Sequence, residues 1–436
     1  MRPQAKEREL EDERQIAEHF SKGAQHWNAF IGEYEGDVAS FSGLILPGGK
    51  WDLDGYDFPL PVSFVDCVFQ RSVHILNAHF ESWVDLTGAT FKNGLLIEDS
   101  ICDGEAVFES VRCPGGLIVS GCHFKESGNF DDLDAYKRIH ISDSIFSNGA
   151  SLQELGAYGG TILSRNKFEK EVSFSGVIQR EAVFLDNEFS GLVDFQRVHF
   201  EAPTVLRGNV FKLRPIIDDI DLTYEPIMPS DKFFAGRDEI HSYYRMLHKI
   251  RRLLGKRISD GFAKLLFVAQ TEEQYSTLRQ FRLFAKEYDD HRLALDIYAL
   301  ELKSRRFWCD PVMSSGFILG LMYQIFSDFG RSLRRPLLTL AISFVCFWGV
   351  FYSLATNARC LGSEKIHAAA FVSLNNVLPI AGWQKQALLS AAESCLFDQN
   401  RIPFAHGLLS LVQTVTSLIL IFLLLLAVRN TVKMNN

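Results

Sequence analysis

The sequence predicts a β-solenoid joined to an all-helical region that ends in two membrane spans, and three observations predict it. An apolar residue, most often Phe, recurs every eleven positions through the first half of the chain. Beyond residue 216 the apolar spacing changes to three and four, the period of a helix. After Arg335 the charges thin out around two long apolar stretches. At 436 residues the chain is too long for one compact core. The expected division is a helical segment at 1–36, a solenoid at 37–215, an all-α cytoplasmic domain at 216–330 and a transmembrane module at 331–436.

The first segment, MRPQAKERELEDERQIAEHF, is dense in charge and has no apolar core of a secretory signal, so the front of the chain is expected in the cytoplasm. The repeat follows as Phe58, Phe69, Phe80, Phe91, Cys102, Cys113 and Phe124. A second series sits six residues after each, at Phe64, Ile75, Leu86, Ile97, Phe108, Val119 and Phe130. The pattern is expected to break at NFDDLDAYKRIH, with Asp131, Asp132 and Asp134 in a solvated bulge, and to resume at Phe146 and Leu152. It returns at Phe168 and Phe174 and, after one residue of slippage, runs on through Phe189, Phe195, Phe200, Leu206 and Phe211. Alternating steps of five and six fit neither a helix nor a simple strand; they fit very short strands joined by tight corners, one large side chain per face pointing inward. Asn93, Gly94, Gly115, Gly116, Asn148 and Gly149 are expected to supply corner conformations. Two eleven-residue units per coil would give about eight coils and a rod roughly 40 Å long.

Runs such as FVDCVFQRSVHILNAHF and FLDNEFSGLVDFQRVHF resemble the pentapeptide-repeat family, in the looser branch where every second pentad carries an extra residue. The resemblance implies a right-handed quadrilateral β-helix and an interaction surface, with no active site. The family's usual Ala and Asp/Asn-Leu spelling is mostly absent here. Residues 37–215 hold 25 acids against 15 bases within a chain of net charge −8, and no basic stripe interleaved with aromatics stands out, so no nucleic-acid surface is expected.

In the helical middle, Ile240, Tyr243, Tyr244, Leu247, Ile250 and Leu254 mark one apolar face. A second stripe comprises Leu278, Phe281, Ala285, Tyr288, Leu295, Ala299 and Leu302, interrupted by Arg292 beside Asp289 and Asp290, where either a helix break or a buried ion pair is expected. Residues 311–326 are too short to span and read as interfacial or buried.

The spans are placed at 336–355 and 407–428. Arg331, Arg334, Arg335, Arg429 and Lys433 flank them, which puts both termini inside and the 356–406 loop outside a bacterial inner membrane. Cys360 and Cys395 in that loop are a candidate disulfide, the alternative being two buried thiols. In the second span His406, Ser410, Gln413 and Ser417 are spaced four, three and four, on one face, as candidate pore-lining groups. Ser373, Asn375, Asn376, Pro379 and Gly382 in EKIHAAAFVSLNNVLPIAGW form a candidate re-entrant pore loop, with Leu418, Ile421 and Leu425 as an apolar gate. The competing expectation is that the polar residues simply hydrogen-bond to the first span.

FGRSLRRPL, SLNNVLPIAGW and LLLLAVRNTVKM resemble the C-terminal, channel-like module of bacterial membrane proteins that also carry degenerate pentapeptide repeats. That resemblance implies a channel-like module, and the leading expectation is a homo-oligomeric pore in the lipid bilayer with the solenoid and helical domain as sensor or gate. The TVGYG filter of potassium channels is missing. The alternatives are a membrane-tethered scaffold with a protein partner on its rod and, more weakly, a DNA mimic acting on a topoisomerase. No GxxxxGK[ST], HExxH or CxxC occurs, so neither an enzyme nor a cofactor is expected.

Overall fold

A computed structural model of the chain describes residues 15–46, 51–202, 204–222, 272–308, 314–355, 362–378, 383–397 and 404–435. They divide into two units, Met1–Asp289 with Lys303–Trp308 and Asp290–Leu302 with Cys309–Asn436.

The first unit is a β-solenoid of about eight coils. Its short strands stack, every pair parallel, into four ladders, such as Trp51–Asp54, Val73–Leu76 and Leu95–Glu98 in one and Asp57–Phe58, His79–Phe80 and Ile101–Cys102 in another. Partners lie 22 residues apart, as in Val73↔Leu95 and Leu95↔Leu117, so two eleven-residue units do make one coil. The register also brings like residues into axial stacks. Phe58 lies on Phe80 with ring centroids 4.5 Å apart, Phe69 on Phe91 at 4.7 Å, and Phe124, Phe146, Phe168, Phe189 and Phe211 form one continuous column. Each such pair contributes about 0.5–1.5 kcal/mol beyond its burial.

The expected interruption is not there. The ladders continue through Gly128–Asn129, Asp134–Ala135 and Ile139–Ser142 at the same 22-residue register. The Phe series passes through Ala135 and Ala157, both fully buried, while Phe130 stands edge-on to Phe124 and Phe146. Asp131 is no bulge residue: it accepts from Ser151 Oγ at 2.6 Å and Gln153 N at 2.7 Å in the next coil, while Asp132 accepts from Ser110 Oγ at 2.7 Å in the coil before.

Corners explain the acids. Asp66, Ser110, Asp132, Glu154, Arg197 and Asp219 form one column of left-handed residues, and Asn77, Asp99, Asp143, Arg165 and Asp186 a second. Asp and Asn tolerate this conformation better than most L-residues. Upstream of the first column, Asp85, Asn129 and Asp194 each accept a hydrogen bond from the amide two residues on, an Asx turn that starts the corner. Of the corners expected from sequence, Gly94, Gly116 and Gly149 have positive φ.

The slippage is one coil of 21 residues. The register changes after Leu152↔Phe174, where Leu155 pairs with Gly176. Ser175 alone does the work of the two-residue corners Gln153–Glu154 and Gln196–Arg197. Gly176 (φ 101°) takes the place of a buried apolar residue, and a Cβ there would lie 2.3 Å from Leu155 N.

Both ends of the rod are covered, which hides strand edges that would otherwise pair with other chains. At the start, helices α1 (residues 15–21) and α2 (Ala24–Ile31) press Phe20 and Trp27 onto Phe41, Tyr56 and Phe58. Trp27 Nε1 donates to Asp57 O at 2.8 Å. At the other end α3 (Glu272–Glu287) buries Leu278, Phe281 and Ala285, with Phe281 edge-on to Phe195 and Thr277 Oγ1 accepting from Leu206 N at 3.0 Å. The stripe breaks as a turn: Asp289 is left-handed, and Asp290 Oδ1 accepts from Leu293 N at the start of α4 (His291–Trp308). The stripe at Ile240–Leu254 lies outside the described residues.

The second unit holds α5 (Ser315–Ser327), α6 (Arg334–Ser353), α7 (Gly362–Val377), α8 (Trp383–Leu396) and α9 (Phe404–Asn435). By length and composition α6 and α9 could each cross a membrane. Their outward side chains, such as Leu338, Val345, Leu411, Phe422 and Leu425, are exposed and apolar. Helix α8 was not anticipated from sequence.

Candidate functional site

The polar stripe of α9 faces inward. His406, Gln413 and Ser417 are buried at 3 %, 0 % and 0 % exposure, and the stripe continues through Leu420 and Ala427. It meets α7, whose buried face is Ala368, Ala369, Val372, Ser373, Asn376 and Val377, the three- and four-residue spacing of one helical side.

Gln413 is the centre of this junction. Its Nε2 donates to Ser373 Oγ at 2.8 Å and to Ser373 O at 3.2 Å, and its Oε1 accepts from Asn376 Nδ2 at 3.1 Å. Ser373 Oγ in turn donates to Phe344 O of α6 at 2.8 Å. One buried network therefore ties all three helices together. The loop helix also runs back along α6: Trp348 Nε1 donates to Ile366 O at 3.1 Å, Ser373 reaches Phe344, and Val377 packs with Leu340 and Leu420.

The residues expected to act together separate. Ser373 and Asn376 join Gln413 in the network, whereas Asn375 is half-buried, and Pro379 and Gly382 lie outside the described residues. Leu418 and Leu425 are exposed on the outer apolar side, and Ile421 packs on the Leu340, Val377 and Leu420 cluster. Leu418 follows Ser417 by one residue, a turn of about 100° that takes it off that face, whereas Ile421 lies one helical turn after Ser417 and stays on the buried side, so the three do not share one environment. Cys395 is disulfide-bonded, and Cys360 lies outside the described residues.

At the far end of the unit, Asp328, Phe329 and Gly330 are three consecutive left-handed residues between α5 and α6. Arg331 holds this turn to α4, with Nη1 2.9 Å from Asp296 Oδ1 and Nη2 3.0 Å from Asp328 Oδ2. Asn430 Nδ2 of α9 donates to Gly330 O at 3.2 Å. Nothing in the sequence pattern marked Asn430; its contact spans 100 positions.

Among the described residues no group of three or more His, Cys, Asp or Glu is placed to hold a metal ion. In the solenoid, Cys67, Cys102, Cys113 and Cys122 are buried, and desolvation pushes each thiol up, to about 11 for Cys67 and Cys122. The chain matches no protein-family model, no curated protein and no solved structure.

Proposed function

We propose that the chain is a membrane-tethered protein-interaction scaffold, its solenoid rod held at the cytoplasmic face of a bacterial inner membrane. The observation that carries this reading is the hydrogen bonding of Gln413. A pore between subunits needs the polar side of α9 on the subunit surface; here that side is closed against α7 of the same chain, and the outward side is apolar like an anchor. The rod offers lateral surface because its ends are covered. Tyr136 and Tyr158, stacked at 5.0 Å and solvent-facing, are the aromatic contact such a surface would use. The four ladders support a four-sided coil of pentapeptide-repeat type. The Arg and Lys flanks of α6 and α9 support cytoplasmic termini, and the disulfide at Cys395 supports an external loop. The rod has a binding role and no catalytic one.

A second reading, an oligomeric pore, is favoured by one observation. Helix α7 returns beside α6 from Trp348 to Leu340, the course of a re-entrant loop. Planar-bilayer recording of the purified protein, run beside its oligomeric state in nanodiscs, tests both. The scaffold expects no conductance above the bare bilayer, and loss of partner capture on replacing Tyr136 and Tyr158 by Ala. Reproducible channel steps from a defined oligomer would overturn it in favour of the pore.

A further inference from the structure

Two sets of hydroxyls in the two apolar helices differ in how they are satisfied. Thr339, Thr414, Thr416 and Thr431 each turn back onto the carbonyl four residues earlier, at 2.8–2.9 Å. This is how an isolated hydroxyl satisfies itself in a lipid-like setting. Ser343 on α6 and Ser410 and Ser417 on α9 do not: their Oγ atoms are inaccessible and have no hydrogen-bond partner among the described residues. His406 Nε2 shares that state, enclosed by Phe351 and Phe397 at ring-centroid distances of 5.2 and 4.8 Å.

Three of these four groups lie on the stripe that also carries Gln413. An unpaired buried hydroxyl or imidazole nitrogen costs about 1–3 kcal/mol. Several on one interior face would be an expensive arrangement in a dry core, and water is the ligand that satisfies such groups. The network of Gln413, Ser373 and Asn376 supplies the fixed polar wall beside them. From His406 to Ser417 is eleven residues, about 16 Å of helix at 1.5 Å per residue.

We infer that the interior of the α6–α7–α9 bundle is a water-binding seam within one subunit, running along α9 from His406 to Ser417 and lined by Ser343, Ser410 and Gln413. Its ligand is water bound through serine hydroxyls and the histidine nitrogen. The seam places a polar path inside a single chain, where a pore formed between subunits would place it outside. The inference rests on α6 and α9 spanning a bilayer, and the experiment separates the two.

Water-edited solid-state NMR of the full chain in lipid bilayers tests it, with Ser410 and Ser417 assigned by the loss of their signals in Ser410→Ala and Ser417→Ala. Magnetisation is expected to pass from water to both serines several-fold faster than to Thr339 and Thr416, and about as fast as to serines of the solenoid surface. Transfer to Ser410 and Ser417 as slow as to the two threonines overturns the seam while leaving the spans in place. Fast transfer to all four overturns the spanning reading and the seam with it.

Discussion

Gln413 Nε2 and Ser373 Oγ lie 2.8 Å apart although 40 residues separate them in the chain, and Ser373 donates onward to Phe344 O. This contact decides how the α9 stripe is used. Replacing Gln413 by Leu strands Asn376 Nδ2 and removes the donor to Ser373 Oγ, and is expected to lower stability by about 1–3 kcal/mol. Replacing Asn376 by Leu as well should recover part of the loss, since each change removes the other's orphaned partner. Thermal unfolding of the full chain in detergent, run as a double-mutant cycle, measures the coupling; strictly additive changes would contradict the network.

Phe130 is 1 % exposed and stacked on Phe108 at 4.6 Å, within the stretch whose sequence looks broken. Phe130→Ala is expected to cost about 3–5 kcal/mol, whereas Tyr136→Ala, at 63 % exposure, should stay within about 0.5 kcal/mol. Hydrogen exchange of the coil at 128–142 reads the difference directly.

Gly176 stands at the one-residue corner. With φ at 101° and Leu155 N in the way, Gly176→Ala should destabilise the solenoid by more than about 2 kcal/mol, through strain and a backbone clash together. At the neighbouring left-handed site Asp186→Gly should be close to neutral in the same denaturation assay, because φ there is only 52° and glycine adopts it freely.

The buried solenoid thiols should resist alkylation. Desolvation raises Cys67 and Cys122 to about 11, so at pH 7 little thiolate forms, and the side chains are inaccessible as well. N-Ethylmaleimide followed by mass spectrometry is expected to leave Cys67, Cys102, Cys113 and Cys122 unmodified in the folded chain and to label all four in urea.

Acid should weaken the rod. Arg165 donates to Asp143 at 2.6 and 2.7 Å and holds its carboxyl below the ordinary 3.8. A folded-state value below the unfolded one gives stability that is present above the unfolded value and is lost as pH falls through the folded one. The pair is exposed and its share is small. Glu188 beside Lys212 and Asp103 beside Lys125 shift the same way, so the unfolding midpoint is expected to be flat near neutrality and to fall below about pH 4. Asp143→Asn should reduce the slope of that fall.

The sequence by itself determined the solenoid, because its information is one-dimensional: a coil touches only the coils before and after it, so the 22-residue register can be counted along the chain. Apolar length likewise marked both long helices. Counting failed where packing substitutes for spelling. Ala135 and Ala157 hold the Phe register without the mass of Phe, and the Asp and Asn corners are set by backbone conformation that hydropathy does not record. Tertiary structure alone decided the direction of the α9 stripe. Spacing put His406, Ser410, Gln413 and Ser417 on one side of a helix, but a helix side has no fixed partner until another element packs on it; Ser373 and Asn376 on α7 turned that side inward by pairing with Gln413.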